Sequence, residues 1–204
     1  MSTSGRTAGH RKAKKTYHHR DLRAALVNAA ETLVDAAGPA ALSLREAARR
    51  AGVSHSAPYR HFPHREGLLA AVAAEGFAML GKALEQAAKR GGREMGEAYV
   101  RFALEHPHRF RLMFGGGISI AAYPELRASA TRAYDALARS FAGLGGERET
   151  RNAAAAAWSL VHGLANLLLE DQFPQATRDA RDTGAFVREV IASIRFAVGA
   201  QRPA

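Results

Sequence analysis

From about Arg20 onward the apolar residues of this chain recur at three- and four-residue steps. The period-two alternation of a half-buried strand is absent, and β-branched residues are few. Glycine- and proline-containing segments divide the pattern into blocks of helical length. This patterning predicts an all-α fold. Leu22, Leu26, Ala29, Leu33 and Ala37 share one face of a helix over about residues 20–37, with Asn28, Glu31 and Asp35 on the opposite face. Gly38-Pro39 ends it. Further helices are expected from Ser43 to Gly52, from Ser54 to about His61, and from about Pro63 to Lys89, where Leu69, Val72, Gly76, Leu80 and Leu84 line one side. Beyond Gly91-Gly92 the pattern predicts helices near 94–106, 107–114, 124–143, 149–170 and 183–199, with Pro124 in a first turn.

A chain of 204 residues that is 47% apolar can bury a sizeable core, which excludes a disordered or low-complexity polymer. With no cysteine there is no disulfide, thiolate metal site or cysteine nucleophile. No uninterrupted apolar run approaches the roughly 18–20 residues that span a bilayer. The opening MSTSGRTAGHRKAKKTYHHR is basic without a following apolar run, unlike a secretory signal. A cytoplasmic protein with no membrane partner is the expectation.

Charge is distributed unevenly. Residues 1–66 carry twelve basic and five acidic side chains, against seventeen and fourteen over residues 67–204, within a net charge of +10. One end of the chain is therefore suited to a polyanion. Anionic lipid fits less well, because bulky apolar residues are not interleaved with the basic ones. Three regions are expected: a flexible basic arm at 1–19, a unit at 20–66 that shares the basic excess, and a second domain at 67–204. The arm could enter a minor groove or act as a solubilising tail.

Within residues 42–69, LSLREAARRAGVSHSAPYRHFPHREGLL holds two short helical blocks joined by a glycine turn, the helix-turn-helix pattern. Ser43 begins a capping box, SLRE, in which its hydroxyl takes a free N–H and Glu46 reaches back. Ser54 offers a second N-cap. Pro58, at the fourth position of the next helix, removes that helix's first hydrogen bond, so the helix is expected to begin late. Its N-terminal half would present His55, Ser56 and Arg60 to bases and phosphates, with Ser54 beside them.

The capped helix, the AGVS turn, Tyr59, the His61-Phe62 pair and a basic residue three positions further on resemble the N-terminal domain of TetR-type transcriptional regulators. The resemblance covers about residues 20–70. It implies phosphate contacts from Ser43, Arg45, Tyr59, His61 and Arg65, which set register rather than sequence. Arg65 stands where the family usually has lysine, so the charge is kept but its geometry changes.

HPHRFRLMFG at 106–115 and WSLVHG at 158–163 resemble the ligand-binding domain of a TetR subgroup named for its Trp–His–Gly signature. The resemblance implies a small-molecule pocket. Trp158 and His162, four apart, would share a helix face. Phe102, His106, Phe110, Met113, Phe114 and Asn166 would complete an apolar lining with a few polar groups. The last two helices, with Phe186, Val190, Ile194 and Ala197 at helical spacing, would pair with a second copy in a four-helix interface. Two-fold symmetry then predicts a palindromic operator.

Two other readings compete. An enzyme is disfavoured: the histidines lack metal-ligand spacing, GGGIS lacks the residues of a phosphate loop, and no serine stands in a nucleophile elbow. No cofactor is implied. A DNA-binding protein without a ligand switch, architectural or constitutive, fits the basic segment equally well. The expectation is a homodimeric regulator, a repressor rather than an activator, released from double-stranded DNA by a small apolar or amphipathic effector.

Overall fold

The computed structural model describes residues 19–143, 145–174 and 182–193. The basic arm, apart from His19, lies outside the described residues, as do Ile194 and Ala197 at the end of the last helix. Among the described residues the elements are α1 (His19–Ala37), α2 (Leu44–Arg50), α3 (Arg65–Ala88), α4 (Gly92–Glu105), α5 (Pro107–Phe114), α6 (Pro124–Arg139), α7 (Glu147–Leu169) and α8 (Thr183–Ser193). Three short 3₁₀ turns join them, at Pro39–Ala41, Ala57–Arg60 and Ile120–Ala122, and no strand occurs among the described residues. The fold is all-α.

Local chemistry accounts for most of these boundaries. Ser43 caps α2 by accepting the Glu46 N–H at 3.1 Å. The reciprocal half of the capping box does not form: the Glu46 carboxylate takes a fork from Arg49 at 2.8 and 2.6 Å. At the other end Gly52 adopts φ +68°, a left-handed conformation that glycine reaches without strain. The Gly52 N–H then reaches Arg49 O and the Val53 N–H reaches Ala48 O, closing the helix with paired backbone bonds.

The expected third helix is shorter than the sequence pattern indicated. Only Ala57–Arg60 is helical, as one 3₁₀ turn. Pro58 has no N–H to return to Ser54, and the Ala57 N–H closes a tighter bond on Ser54 O at 3.0 Å instead. Ser54 therefore does not act as the side-chain cap of an α-helix; its hydroxyl lies 3.3 Å from that of Ser56. Pro58 itself is fully buried, filling an apolar position against the head.

α3 runs from the first three-helix unit into the rest of the molecule without a linker. It is the spine: α6, α4, α5 and α1 all pack on it. Leu69, Val72, Leu80 and Leu84 are buried with Phe77 in one continuous apolar core that also takes in Leu26, Leu33 and Phe62 of the head. Gly76 lets α5 approach closely, since a Cβ there would stand 2.6 Å from Met113 Sδ and 3.1 Å from Arg109 Cγ.

By length and composition α3 and α7 are each apolar enough to cross a bilayer, which a count of uninterrupted apolar residues did not anticipate. In α3 the reason is the core, with 61% of its most apolar window buried. For α7 the buried share is only 33%, and Leu160 and Leu167 stand exposed on one side of the helix.

Candidate functional site

Two sites emerge at opposite ends of the core. The first is the outer surface of α2 and the following turn. Arg45, Ser54, His55, Ser56, Tyr59 and Arg60 are all exposed there, with Tyr59 half open to solvent at 50%. The inner side of this element is sealed by Pro58 and Phe62. His61 is half-buried. Ser43 is exposed, although its hydroxyl is occupied in capping α2. Arg65 is exposed too, and its Nε donates to Leu42 O at 2.7 Å and its Nη2 to Pro39 O. Its guanidinium thus ties the start of α3 to the α1–α2 connection through two separate nitrogens of the fork.

The second site is a cavity of about 100 Å³ between α3, α4, α6 and α7. Phe77, Leu80 and Leu84 form one wall, Tyr99 and Phe114 the floor, and Ala133, Tyr134, Leu137 and Trp158 the far side. No charged side chain lines it. Of the eight residues expected to bind a ligand, Phe114 and Trp158 reach this cavity. Phe102, Phe110 and Met113 are core residues behind it. His106 stacks on Phe102 at 5.1 Å, and Asn166 Nδ2 is bonded to the His162 carbonyl at 2.8 Å.

Phe114 is the hub of the aromatic cluster. Its ring lies 5.1 Å from Phe77, 4.8 Å from Phe110, 4.8 Å from His162 and 6.3 Å from Trp158, mostly tilted or edge-on. One polar chain runs through the cluster. Trp158 Nε1 donates to Tyr99 Oη at 3.0 Å, which leaves the tyrosine proton for His162 Nδ1 at 2.9 Å. Burial depresses the His162 pKa, keeping the imidazole neutral and able to accept. Burial likewise pushes the Tyr99 hydroxyl far up, outweighing the Trp158 hydrogen bond that favours the phenolate. Sequence reasoning missed Tyr99 as a site residue. It lies between Ala98 and Val100 in an apolar stretch, with no local signal that its hydroxyl bridges two residues of α7.

Wider hollows lie elsewhere. Two clefts of about 470 and 560 Å³ flank Arg23, which pairs with Glu125 across the junction of α1 and α6. A third, of about 310 Å³, sits where α4, α6, α7 and α8 meet. None has the aromatic lining of the Trp158 cavity.

Residues 26–72 match the model for bacterial regulatory proteins of the tetR family, and residues 92–194 that for the tetracyclin repressor-like C-terminal domain. The chain is similar to a protein of unknown function from Rhodococcus sp. RHA1, with 32% identity, 88% of this chain and 96% of that one covered, and a TM-score of 0.70. It shares its fold with a TetR transcriptional regulator from the same organism, at 21% identity, 87% and 94% coverage and a TM-score of 0.55. It also shares that fold with RolR in complex with resorcinol, at 20% identity, 91% and 100% coverage and a TM-score of 0.54. No curated protein matches the sequence.

Proposed function

We propose, from the fact that this chain belongs to the TetR family of bacterial regulatory proteins, that it works as a homodimeric repressor. On this reading a palindromic operator is released when a small uncharged molecule fills the cavity beside Trp158. The family makes it a DNA-binding transcriptional regulator with a ligand-binding type of C-terminal domain, and points away from catalysis.

The observation that carries the finer reading is the cavity itself: lined largely by aromatic rings, free of charged side chains, and joined to the head by the first half of α3. Its volume, about 100 Å³, is of the order of the roughly 150 Å³ apolar cavity known to admit benzene. A single-ring neutral molecule is the natural occupant, because a buried charge here would have no partner. That a solved structure of the same fold holds resorcinol supports a ligand of this size class.

The dimer rests on α7, whose exposed Leu160 and Leu167 lie seven residues apart on one helix face. With α8 it would form the four-helix interface that sets the two heads one DNA turn apart. On the DNA side, His55, Ser56 and Arg60 read bases, while Arg45 and Tyr59 hold phosphates. Ser43, Ser54 and His61 support that face, and Arg65 holds the head together from behind.

Selection of duplexes from a random pool at two salt concentrations tests the DNA half. Enrichment of one palindrome that survives moderate salt is expected; steeply salt-sensitive binding without enrichment would instead mean an architectural protein held by phosphates. Quenching of Trp158, the chain's single tryptophan, tests the other half. Benzene should quench it and benzoate should not.

A further inference from the structure

One charged side chain is buried among the described residues, Arg109 on α5, only 4% exposed. Its guanidinium is engaged chiefly by α1, with Nη1 also donating to Met79 Sδ on α3 at 3.0 Å. Nε and Nη2 fork onto the Asp35 carboxylate at 3.0 and 2.6 Å, and Nη1 donates to Glu31 Oε1 at 2.7 Å. These carboxylates sit one helical turn apart on the DNA-binding head, and the arginine comes from the ligand-binding domain. A buried pair of this kind contributes little net stability over a well-packed apolar substitute. What it supplies is geometry: three charge-assisted bonds in a planar fork fix the position of α1 on α5.

The other end of α5 belongs to the cavity. Phe114, its last residue, forms part of the cavity wall and touches rings from α3, α4 and α7. Five residues separate it from Arg109, so the two lie about 7–8 Å apart along one short rigid helix. The first half of the head is in turn one unit with α3, because Arg65 holds the Pro39 and Leu42 carbonyls. The other ion pair between α1 and the body, Arg23 to Glu125, is solvent-exposed, and exposed pairs hold weakly; apolar packing of α1 on α3 makes up the rest of that contact.

We propose that Arg109 is the positioning residue through which the cavity controls the head: an occupant that displaces Phe114 shifts α5, and the Arg109 clasp carries α1 with it. The proposal rests on the reading of the cavity as the effector site. Burial disfavours the charge on Arg109, but Asp35 and Glu31 outweigh it and raise the guanidinium's pKa, so the clasp stays charged at any working pH. The contact with Gly76 adds a constraint, since the close approach of α3 leaves α5 no room to move toward it.

The test measures operator affinity of the full-length protein with and without saturating benzene, on the palindrome obtained by selection. Three proteins are compared with wild type: Arg109→Met, Arg109→Lys, and the triple variant Arg109→Met with Glu31→Gln and Asp35→Asn. The triple variant removes the charges together and leaves none uncompensated, so it folds even where the single change does not. In wild type, benzene should weaken operator binding at least about fivefold, the lower range of allosteric coupling. In the triple variant, benzene should still quench Trp158 and operator binding without benzene should stay within about threefold of wild type. The benzene effect on operator binding should fall below about twofold, with lysine recovering part of it. A triple variant that responds to benzene as wild type does overturns the proposal. So does one that is folded, by its thermal transition, yet has lost operator binding without benzene, since the clasp would then only hold the head. If wild-type Trp158 is silent to benzene, or is quenched while operator binding does not change, the effector reading of the cavity fails and the clasp's role with it.

Discussion

The head and the ligand-binding domain solve opposite problems with the same helical material. In the head, the residues that matter are outside. Arg45, Tyr59 and Arg60 project from elements whose inner sides are closed by Leu44, Pro58 and Phe62. In the body they are inside, contributed by several helices around a space that no single helix encloses. The head can therefore lose a functional side chain and keep its fold, whereas the body cannot lose one without altering the packing that defines the site.

That contrast orders a set of expected outcomes. The largest is Phe110→Ala. Phe110 is fully buried beneath Phe114 and Tyr99, so truncation should cost about 3–5 kcal/mol of stability and lower the thermal midpoint, with effector and operator binding lost together. Trp158→Ala should separate the two functions. Benzene affinity, followed by calorimetry, should fall about tenfold through the lost ring contacts, while operator affinity stays within a factor of two. Equal loss of both would erase the distinction between the regions.

Tyr59→Phe is the mirror experiment in the head. Removing one exposed hydroxyl should leave the thermal midpoint unchanged and weaken binding about three- to tenfold on many sequences alike. A changed sequence preference would give Tyr59 a base-reading part instead. The smallest effect is on pH dependence. The unfolded chain takes up a proton on His162 near pH 6.5, the ordinary histidine value, while the folded imidazole resists it. Stability should therefore be at its full value above that pH and decline as pH falls below it. His162→Gln should flatten the difference between thermal midpoints at pH 7.5 and 5.5; an unchanged slope would mean His162 is not buried against protonation.

The same contrast explains what could be read from the sequence. Helix limits follow from spacing and from Gly38, Gly52, Gly91 and Pro107, which act within a few residues, and the observed helices lie close to the expected ones. The exposed face of the head was equally legible, because its chemistry is local. The third helix came out as a 3₁₀ turn because the proline's missing N–H weakened it more than periodicity indicated. Arg65 became a structural brace because its partners, Pro39 and Leu42, come from a connection far back in the chain.

In the body, the Trp158 and Phe114 expectations share the cavity, but Tyr99 and the α3 and α6 walls depend on how four helices meet. Glu31 and Asp35 illustrate the limit most clearly. Period alone assigned them to the outer face of α1; α5 meets part of that face, and only the tertiary structure shows the arginine that reaches them.

The hydrogen-bonded run from Trp158 through Tyr99 to His162 also bears on chemical discrimination. The Tyr99 proton is committed to the imidazole, and the indole proton is committed to the phenol. The Trp158 side of the wall consequently has no donor to offer an incoming molecule, and Tyr134 carries the other hydroxyl of the lining. Away from Tyr134, selection among candidates falls on contour and polarisability rather than on functional groups. A recogniser of that kind grades homologues mainly by how well they fit, and registers a hydroxyl on the ring at one point of the wall. It is suited to sensing a class of compounds, and poorly suited to telling one member from the next.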